Sequence, residues 1–418
     1  MIMKKNKQVI AGIEVGTTKV VVLIGEILIN KIVNIIGIGQ YPSKGIDKGN
    51  INNLQSLISC IKKAIYEAET MAEYRISSIY VSLSNQYIHC KNEIGIVPIA
   101  NKEITDQDIK YAIYTAQSIK LKQDYKILHV IPKEYTIDQT YGIKNPVGLS
   151  GFRMQANVHL ITYKNIFKKN LVKAIESCNM HVEKVIFSGI ASSQAVLTFS
   201  EKQSGVCMVD IGGGSIDLII YINGYIEYSY VLPYAGNTVT NDIAYVFNTS
   251  YKNAEIIKKK YGSTILSSLT ASELIEIANL YGIQTKNMKK DILIQVIESR
   301  YTELFNMIHT VLMKIQNKLY NSGKPYKLGA GIVLTGGGAQ ASSLKLLAEK
   351  IFNIQVRIGI PIKIKTYSDK IIQPSYATVI GLVKYGAKIY NQKKKQFNKT
   401  NKLKKWFYYL HSWIKKII

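Results

Sequence analysis

Two short stretches carry the residue types that phosphate chemistry requires. Glu14-Val15-Gly16-Thr17-Thr18-Lys19 follows the apolar run from Val9 to Ile13, and Asp210-Ile211-Gly212-Gly213-Gly214-Ser215 follows the run from Val206 to Val209. Glycine lets backbone N–H groups approach an anion that a side chain would hold away. The hydroxyls of Thr17, Thr18 and Ser215 add donors, and Lys19 adds a charge. Each apolar run ends in an acid, Glu14 or Asp210, a hard oxygen ligand able to hold a magnesium ion through its waters. Two such turns facing each other would clamp a triphosphate from both sides. A third glycine site, Gly336-Gly337-Gly338, follows the strand-like Gly331 to Thr335 and offers small residues on which a flat base could lie. One such turn alone is an ordinary tight turn. Three in order, each after an apolar strand, point to a nucleotide. No GxxxxGK[ST], GxGxxG, HRD or DFG pattern occurs, which excludes the P-loop, dinucleotide-fold and protein-kinase alternatives.

The elements that must position these turns follow from pattern. Val9 to Ile24 reads as strand, turn, strand, and a further strand covers Ile32–Ile38. Leu54, Leu57, Ile58, Ile61 and Ile65 recur at helical spacing, predicting a helix over Asn53–Met71. Ile79–Leu83 reads as a buried strand. Residues 84–163 read as a self-contained insert. Its helix starts at Thr105-Asp106-Gln107-Asp108, and strands are expected at Ile94–Ile99, Lys126–Ile131 and Gln155–Thr162. Beyond it come a helix at Lys164–Ser177, a strand at Val182–Phe187, a helix opened by Ser188 to Ser193, and the second hairpin. Residues 237–310 read as mainly helical. A strand–acid–glycine–strand unit that recurs so far along the chain implies two related halves.

With these residues in order, the chain resembles the actin, sugar kinase and heat-shock 70 superfamily, and within it the FtsA family. Lys144 to Gly151, Tyr234-Ala235-Gly236-Asn237, Arg300-Tyr301-Thr302-Glu303-Leu304 and Gly331 to Gly337 carry the resemblance beyond the hairpins. It implies an α/β, actin-like (ribonuclease H-like) fold of two halves with a nucleotide cleft and an inserted α+β subdomain. Residues 1–83, with 164–204 and 373–390, would form the first-half core, and 84–163 the insert. Residues 205–236 and 306–372 would form the second-half core, and 237–305 its helical outer part. ATP and Mg2+ are the implied cofactors. Gly16, Thr17, Thr18, Lys19, Gly212, Gly213, Gly214 and Ser215 take the phosphate roles, and Glu14 and Asp210 the metal. Gly336, Gly337 and Gly338, with Glu255 and Lys258 three apart on a helix face, take adenosine.

The implied partners are the C-terminal tail of the tubulin-like division protein FtsZ, at Arg300 and Glu303, further copies of the chain in a polymer, and later division proteins. From spacing alone, Glu255 with Lys258 and Arg300 with Glu303 read equally as surface ion pairs. Two departures stand out. Glu14 replaces the Asp of most of the superfamily, and Tyr281 to Lys286 lacks the Gly/Pro-rich stretch many FtsA proteins carry before the Arg300 segment.

The chain has 418 residues, a net charge of +26 and four cysteines, none in a CxxC pair. No zinc-finger, helix-turn-helix or RNP-like pattern accompanies the charge, so no nucleic-acid partner is expected. The cysteines fit a reducing cytoplasm. Nine lysines and no acids fall in residues 391–418. There a basic linker, 391–405, leads to an amphipathic segment, 406–418. Leu403, Trp406, Phe407, Leu410, Trp413, Ile414 and Ile417 recur at spacings of three and four, flanked by Lys404, Lys405, Lys415 and Lys416. That segment is too short to span a bilayer and has the character of an interfacial helix. Each lysine near an anionic leaflet contributes about 1 kcal/mol. Together with the resemblance, which implies the division septum and FtsZ as the tethered partner, this gives the expectation of a peripheral protein on the cytoplasmic side of the inner membrane. No residue can be assigned to positioning an attacking water, and the resemblance implies weak or no ATP hydrolysis. A sugar kinase of the same superfamily is the enzyme alternative, although no base for it can be assigned. A chaperone would require a peptide-binding domain after the nucleotide domain.

Overall fold

Strand Val206–Ile211 shows how the sequence builds the molecule. All six of its residues are buried. Val206 and Met208 face one core, while Cys207, Val209 and Ile211 face another. Side chains alternate across a strand, so a strand packed on both faces reads as one continuous apolar run. The computed structural model describes residues 8–29, 32–100, 102–266, 273–278, 285–323 and 326–394.

The first sheet has six strands in the order His181–Phe187, Ser78–Leu83, Val9–Val15, Lys19–Ile27, Val33–Pro42, Ile364–Thr366. The second has five, in the order Val356–Ile358, Ile332–Thr335, Val206–Ile211, Ile216–Ile222, Tyr225–Leu232. Each contains an antiparallel triplet followed outward by two parallel strands. The two sheets therefore repeat one plan, and the two glycine turns occupy equivalent places in it.

Helix Leu54–Ala72 packs on the first sheet. It starts where the Asn53 side chain accepts from the Ser56 N–H at 2.9 Å, satisfying one of the donors a helix start leaves open. Helix Ser188–Val196 is buried along almost its whole length. A last helix covers 377–394. Its final four residues, which the sequence places in the basic linker, continue the helix, because Asn391, Gln392, Lys393 and Lys394 include no breaker.

The insert forms its own antiparallel sheet, His89–Pro98, Arg153–Lys164, Tyr125–Ile137, Thr140–Ile143, covered by helix Asp106–Gln117. Thr105 and Asp108 cap that helix reciprocally, as the sequence predicts. The strands run several residues beyond their predicted ends. The insert is tied to the second half by a buried Lys133–Glu227 ion pair and by His159 Nε2 to Ser229 Oγ at 3.0 Å.

Residues 237–310 are mainly helical, as expected, with one addition. Helices Gly236–Val246 and Tyr251–Tyr261 are followed by an antiparallel ribbon, Leu274–Ala278 with Thr285–Lys289, before the 32-residue helix Lys290–Asn321. Ile275 and Ile277, two apart, are both buried, and that period of two belongs to a strand. Among the described residues no helix is long and apolar enough to cross a membrane. Leu403, Trp406, Phe407, Leu410, Trp413, Ile414, Ile417, Lys404, Lys405, Lys415 and Lys416 all lie outside the described residues.

Candidate functional site

The two glycine turns close alike. The Gly16 N–H donates to the Lys19 carbonyl at 3.0 Å, and the Gly212 N–H to the Ser215 carbonyl at 3.0 Å. They face each other across one cleft, lined by Glu14, Gly16, Thr17, Thr18 and Lys19 on one side and by Asp210 and Gly212 to Ser215 on the other. The approach is close. A Cβ on Gly214 would lie 2.4 Å from Thr17 Oγ1 and 3.0 Å from Lys48 Cα, and one on Gly213 would lie 2.5 Å from Thr18 Cγ2. Thr17 Oγ1 also accepts from the Lys48 N–H at 3.1 Å.

Three carboxyl groups meet in this cleft. Burial pushes Glu14 up to about 7; Lys19 works against that shift and Asp210 adds to it. Its Oε2 is buried and has no hydrogen-bond partner among the described residues. Burial also raises Asp210, against donation from Ser192 and Thr378. Thr378 Oγ1 lies 3.1 Å from Asp210 Oδ2, and Ser192 Oγ donates to the same oxygen. Asp217 is raised well above the usual carboxylate range by burial and by Asp210, while it accepts from the Ser84 hydroxyl, just past strand Ser78–Leu83 of the first sheet. Such crowding is relieved by a cation, and the unpartnered Glu14 oxygen gives that cation a place. Among the described residues no cluster forms a ready set of direct metal ligands. Lys19 lies 4.0 Å over the Tyr376 ring, its pKa lowered by burial.

Gly336 and Gly337 line the same cleft. Gly336 has φ +85, and a Cβ there would lie 2.3 Å from Asp210 Oδ1; only glycine combines that conformation with that approach. Gly338 stands behind, against Ile211, its carbonyl accepting from Tyr301 OH at 3.2 Å. Glu255 and Lys258 sit beside the cleft without lining it. They pair with each other at 2.7 Å. Lys258 donates to the Gly236 carbonyl at 3.0 Å, and the Gly236 N–H donates to the Gly212 carbonyl at 3.1 Å. Arg300 and Glu303 lie apart, on helix Lys290–Asn321, edging a groove with Tyr245 and Val246. Arg300 binds Glu303 and also Asp242, its Nη2 lying 3.0 Å from Oδ1.

Sequence reading misses Asp217, Ser84, Ser192 and Thr378. Asp217 had a signal: it is a lone acid in an apolar strand, two residues from Ser215 and so on the same face. The hydroxyls had none.

The comparisons with known proteins agree with one another. The family described as "Cell division protein FtsA" matches residues 207–381, and "SHS2 domain inserted in FTSA" matches residues 85–162. The chain is 52% identical to the cell division protein FtsA of Buchnera aphidicola subsp. Schizaphis graminum (strain Sg), with 100% of each chain covered. It is 45% identical to that of Escherichia coli (strain K12), again with 100% of each covered. Among solved structures, the PilM-PilN type IV pilus biogenesis complex matches at TM-score 0.66 and 16% identity, over 90% of this chain and 98% of that one. MreB5 of Spiroplasma citri bound to ADP matches at TM-score 0.52 and 14% identity, over 94% and 98%. These structures share the fold, which is actin-like. On full-length identity at this level, the chain belongs to the FtsA family of cell-division proteins.

Proposed function

We propose that this chain binds ATP with Mg2+ between its two hairpins, and that the bound nucleotide controls its assembly with copies of itself at the division site. The observation that carries this reading is the convergence of both glycine turns on a cleft holding three carboxyl groups and one unpartnered carboxylate oxygen. The fold of the MreB5 structures bound to ADP and to AMPPNP supports it. Backbone N–H groups of Thr17, Thr18, Gly213 and Gly214, with Lys19, would hold the phosphates, and Gly16 and Gly212 would close the turns that present them. Glu14, Asp210 and Asp217 would hold the metal through its waters, and the bound ion would supply charge neutralisation to the phosphates. Gly336, Gly337 and Gly338 would take the adenine, and Glu255 with Lys258 the ribose. The groove at Arg300 and Glu303 would take the FtsZ C-terminal tail. Residues 403–418 would hold the protein to the anionic cytoplasmic face of the inner membrane, tethering the Z ring there for later division proteins to join. Family membership takes the place of the sugar-kinase and chaperone alternatives.

Electron microscopy on lipid monolayers with magnesium ATP tests this reading. Filaments are expected from the full chain, none from Asp210→Ala, and none on lipid from a chain lacking residues 395–418. Identical filaments from Asp210→Ala would break the link between nucleotide and assembly. Undiminished lipid binding without the tail would break the tether.

A further inference from the structure

Between the inserted sheet and the two halves lies a cavity of about 580 Å3 that the nucleotide cleft does not use. Strand Tyr125–Ile137 of the insert forms one wall. Helix Ser188–Val196, helix 377–394 and the Tyr221–Ile226 turn form the others. None of its residues lines the cleft, yet the same two helices serve both spaces. Ser188 and Thr378 line the cleft, while Gln194 and Lys388 line the cavity.

Three lysines, Lys184, Lys202 and Lys388, line this cavity, and no carboxylate does. The neighbouring Glu201 is engaged by Arg357 at 2.6 Å. Lys184 donates to Tyr385 OH at 3.1 Å. Lys202 lies 4.8 Å over the Tyr221 ring, and among the described residues its ammonium has neither an ion-pair nor a hydrogen-bond partner. Burial, with Lys388 and Lys384 adding to it and Glu201 opposing, brings that ammonium down to about 8. His129 also lines the space as a neutral ring, its Nε2 accepting from the Phe187 N–H at 2.9 Å. Lys202 is half-buried, while Lys184 and Lys388 stand exposed at the edge of the cavity; like charges so placed repel one another, and an anion reverses the sign of that interaction. Tyr225 and Phe199 line the same cavity, Phe199 being 76% exposed, while the Tyr221 and Tyr385 rings lie beneath Lys202 and Lys184.

We propose that this cavity is a second binding site, separate from the nucleotide cleft, for a small anion that carries a phosphate and a flat ring. The lysines take the phosphate, as point charges able to approach from several sides, and the aromatic side chains take the ring.

Calorimetric titration of the full chain with phenyl phosphate, in excess magnesium AMPPNP to occupy the cleft, tests the proposal. One phenyl phosphate per chain is expected, bound roughly tenfold more tightly than inorganic phosphate. Lys202→Gln and Lys388→Gln should each weaken it about tenfold, while Lys202→Arg, which keeps the charge, should bind. Phe199→Ala changes only an exposed ring. It should weaken phenyl phosphate and leave inorganic phosphate unchanged. Binding of phenyl phosphate seen only when AMPPNP is left out would place it in the cleft and overturn the proposal. So would undiminished binding by the Lys202→Gln, Lys388→Gln double variant. Lysine-dependent binding of an Asp/Glu octapeptide without any binding of phenyl phosphate would replace the small anion with an acidic peptide.

Discussion

In the first hairpin the turn carries Thr17, Thr18 and Lys19; in the second the same three places hold Gly213, Gly214 and Ser215. The backbones match, down to the 3.0 Å closing bond of each turn. The chemistry does not. Across the strand ladder Glu14 faces Val21, while Asp210 faces Asp217. The acids of the second hairpin are held by hydroxyls from elsewhere, Ser84, Ser192 and Thr378. Glu14 keeps one buried oxygen without a partner. One scaffold used twice has thus divided its work. The first hairpin brings hydroxyls, a cation and an unsatisfied acid. The second brings bare backbone and a pair of acids that are already placed. The bareness of the second makes room for the threonines of the first.

Filling that room should have the largest effect. Gly214→Val would drive a side chain into Thr17 Oγ1 and the Lys48 backbone and part the hairpins. Affinity for a fluorescent ATP analogue should fall about 100-fold or more, equivalent to about 3 kcal/mol. Gly214→Ala combined with Thr17→Ala should recover part of the loss, because the closest clash is gone. Gly16→Ala and Gly212→Ala each place a methyl 3.0 Å from the carbonyl that closes its own turn, so their effects should be small and equal. If Gly214→Val bound as well as Gly16→Ala, the complementarity of the two turns would be lost as an explanation.

Glu14 gives the next effect, through pH. Its folded pKa of about 7 lies above the ordinary 4.5, so the folded state holds the proton more tightly than the unfolded chain. Stability contributed by this group is therefore present at low pH and is lost as pH rises from the ordinary value through about 7. The loss is on the order of 3 kcal/mol when complete. Glu14→Gln should thus unfold at higher urea than the native chain at pH 8 without nucleotide or metal, and at nearly the same urea at pH 4. Magnesium ATP should erase the advantage at pH 8 by compensating the native carboxylate, and chelating the metal should restore it. Asp210→Asn should gain less, because Asp210 already accepts from Ser192 and Thr378. A less stable Glu14→Gln at pH 8 would show that Glu14 is satisfied after all.

The legible parts of this arrangement are the local ones. Apolar runs broken by glycine-and-hydroxyl turns announce both hairpins, and Thr105 with Asp108 announces the helix of the insert, because each signal lies within a few residues of chain. The hydroxyls that hold the acids come from Ser84, Ser192 and Thr378, on three distant segments. Only the folded sheet and the two shared helices bring them to Asp210 and Asp217, and no spacing encodes that. The ribbon at Leu274–Ala278 and Thr285–Lys289 is hidden for another reason: five-residue strands give period two little length in which to be seen. Helix continuation through 391–394 was masked by composition, since lysine and glutamine suit helix and linker alike.

The smallest effects separate Lys19 from Ser215, which stand at equivalent places. Lys19 is half-buried beside Glu14 and Tyr376, so its charge acts on phosphate with solvent partly excluded. Ser215 offers a neutral hydroxyl, 3.5 Å from Ser84 Oγ. A charge-assisted contact contributes roughly 1.5–3 kcal/mol and a neutral one roughly 0.5–1.5 kcal/mol. Lys19→Gln should therefore weaken the ATP analogue about tenfold or more and flatten the salt dependence of binding, and Ser215→Ala should weaken it about threefold and leave the salt dependence unchanged. Equal losses with equal salt slopes would mean that both positions act through backbone alone. The contrast between the hairpins would then reduce to the two acids and the bare glycines.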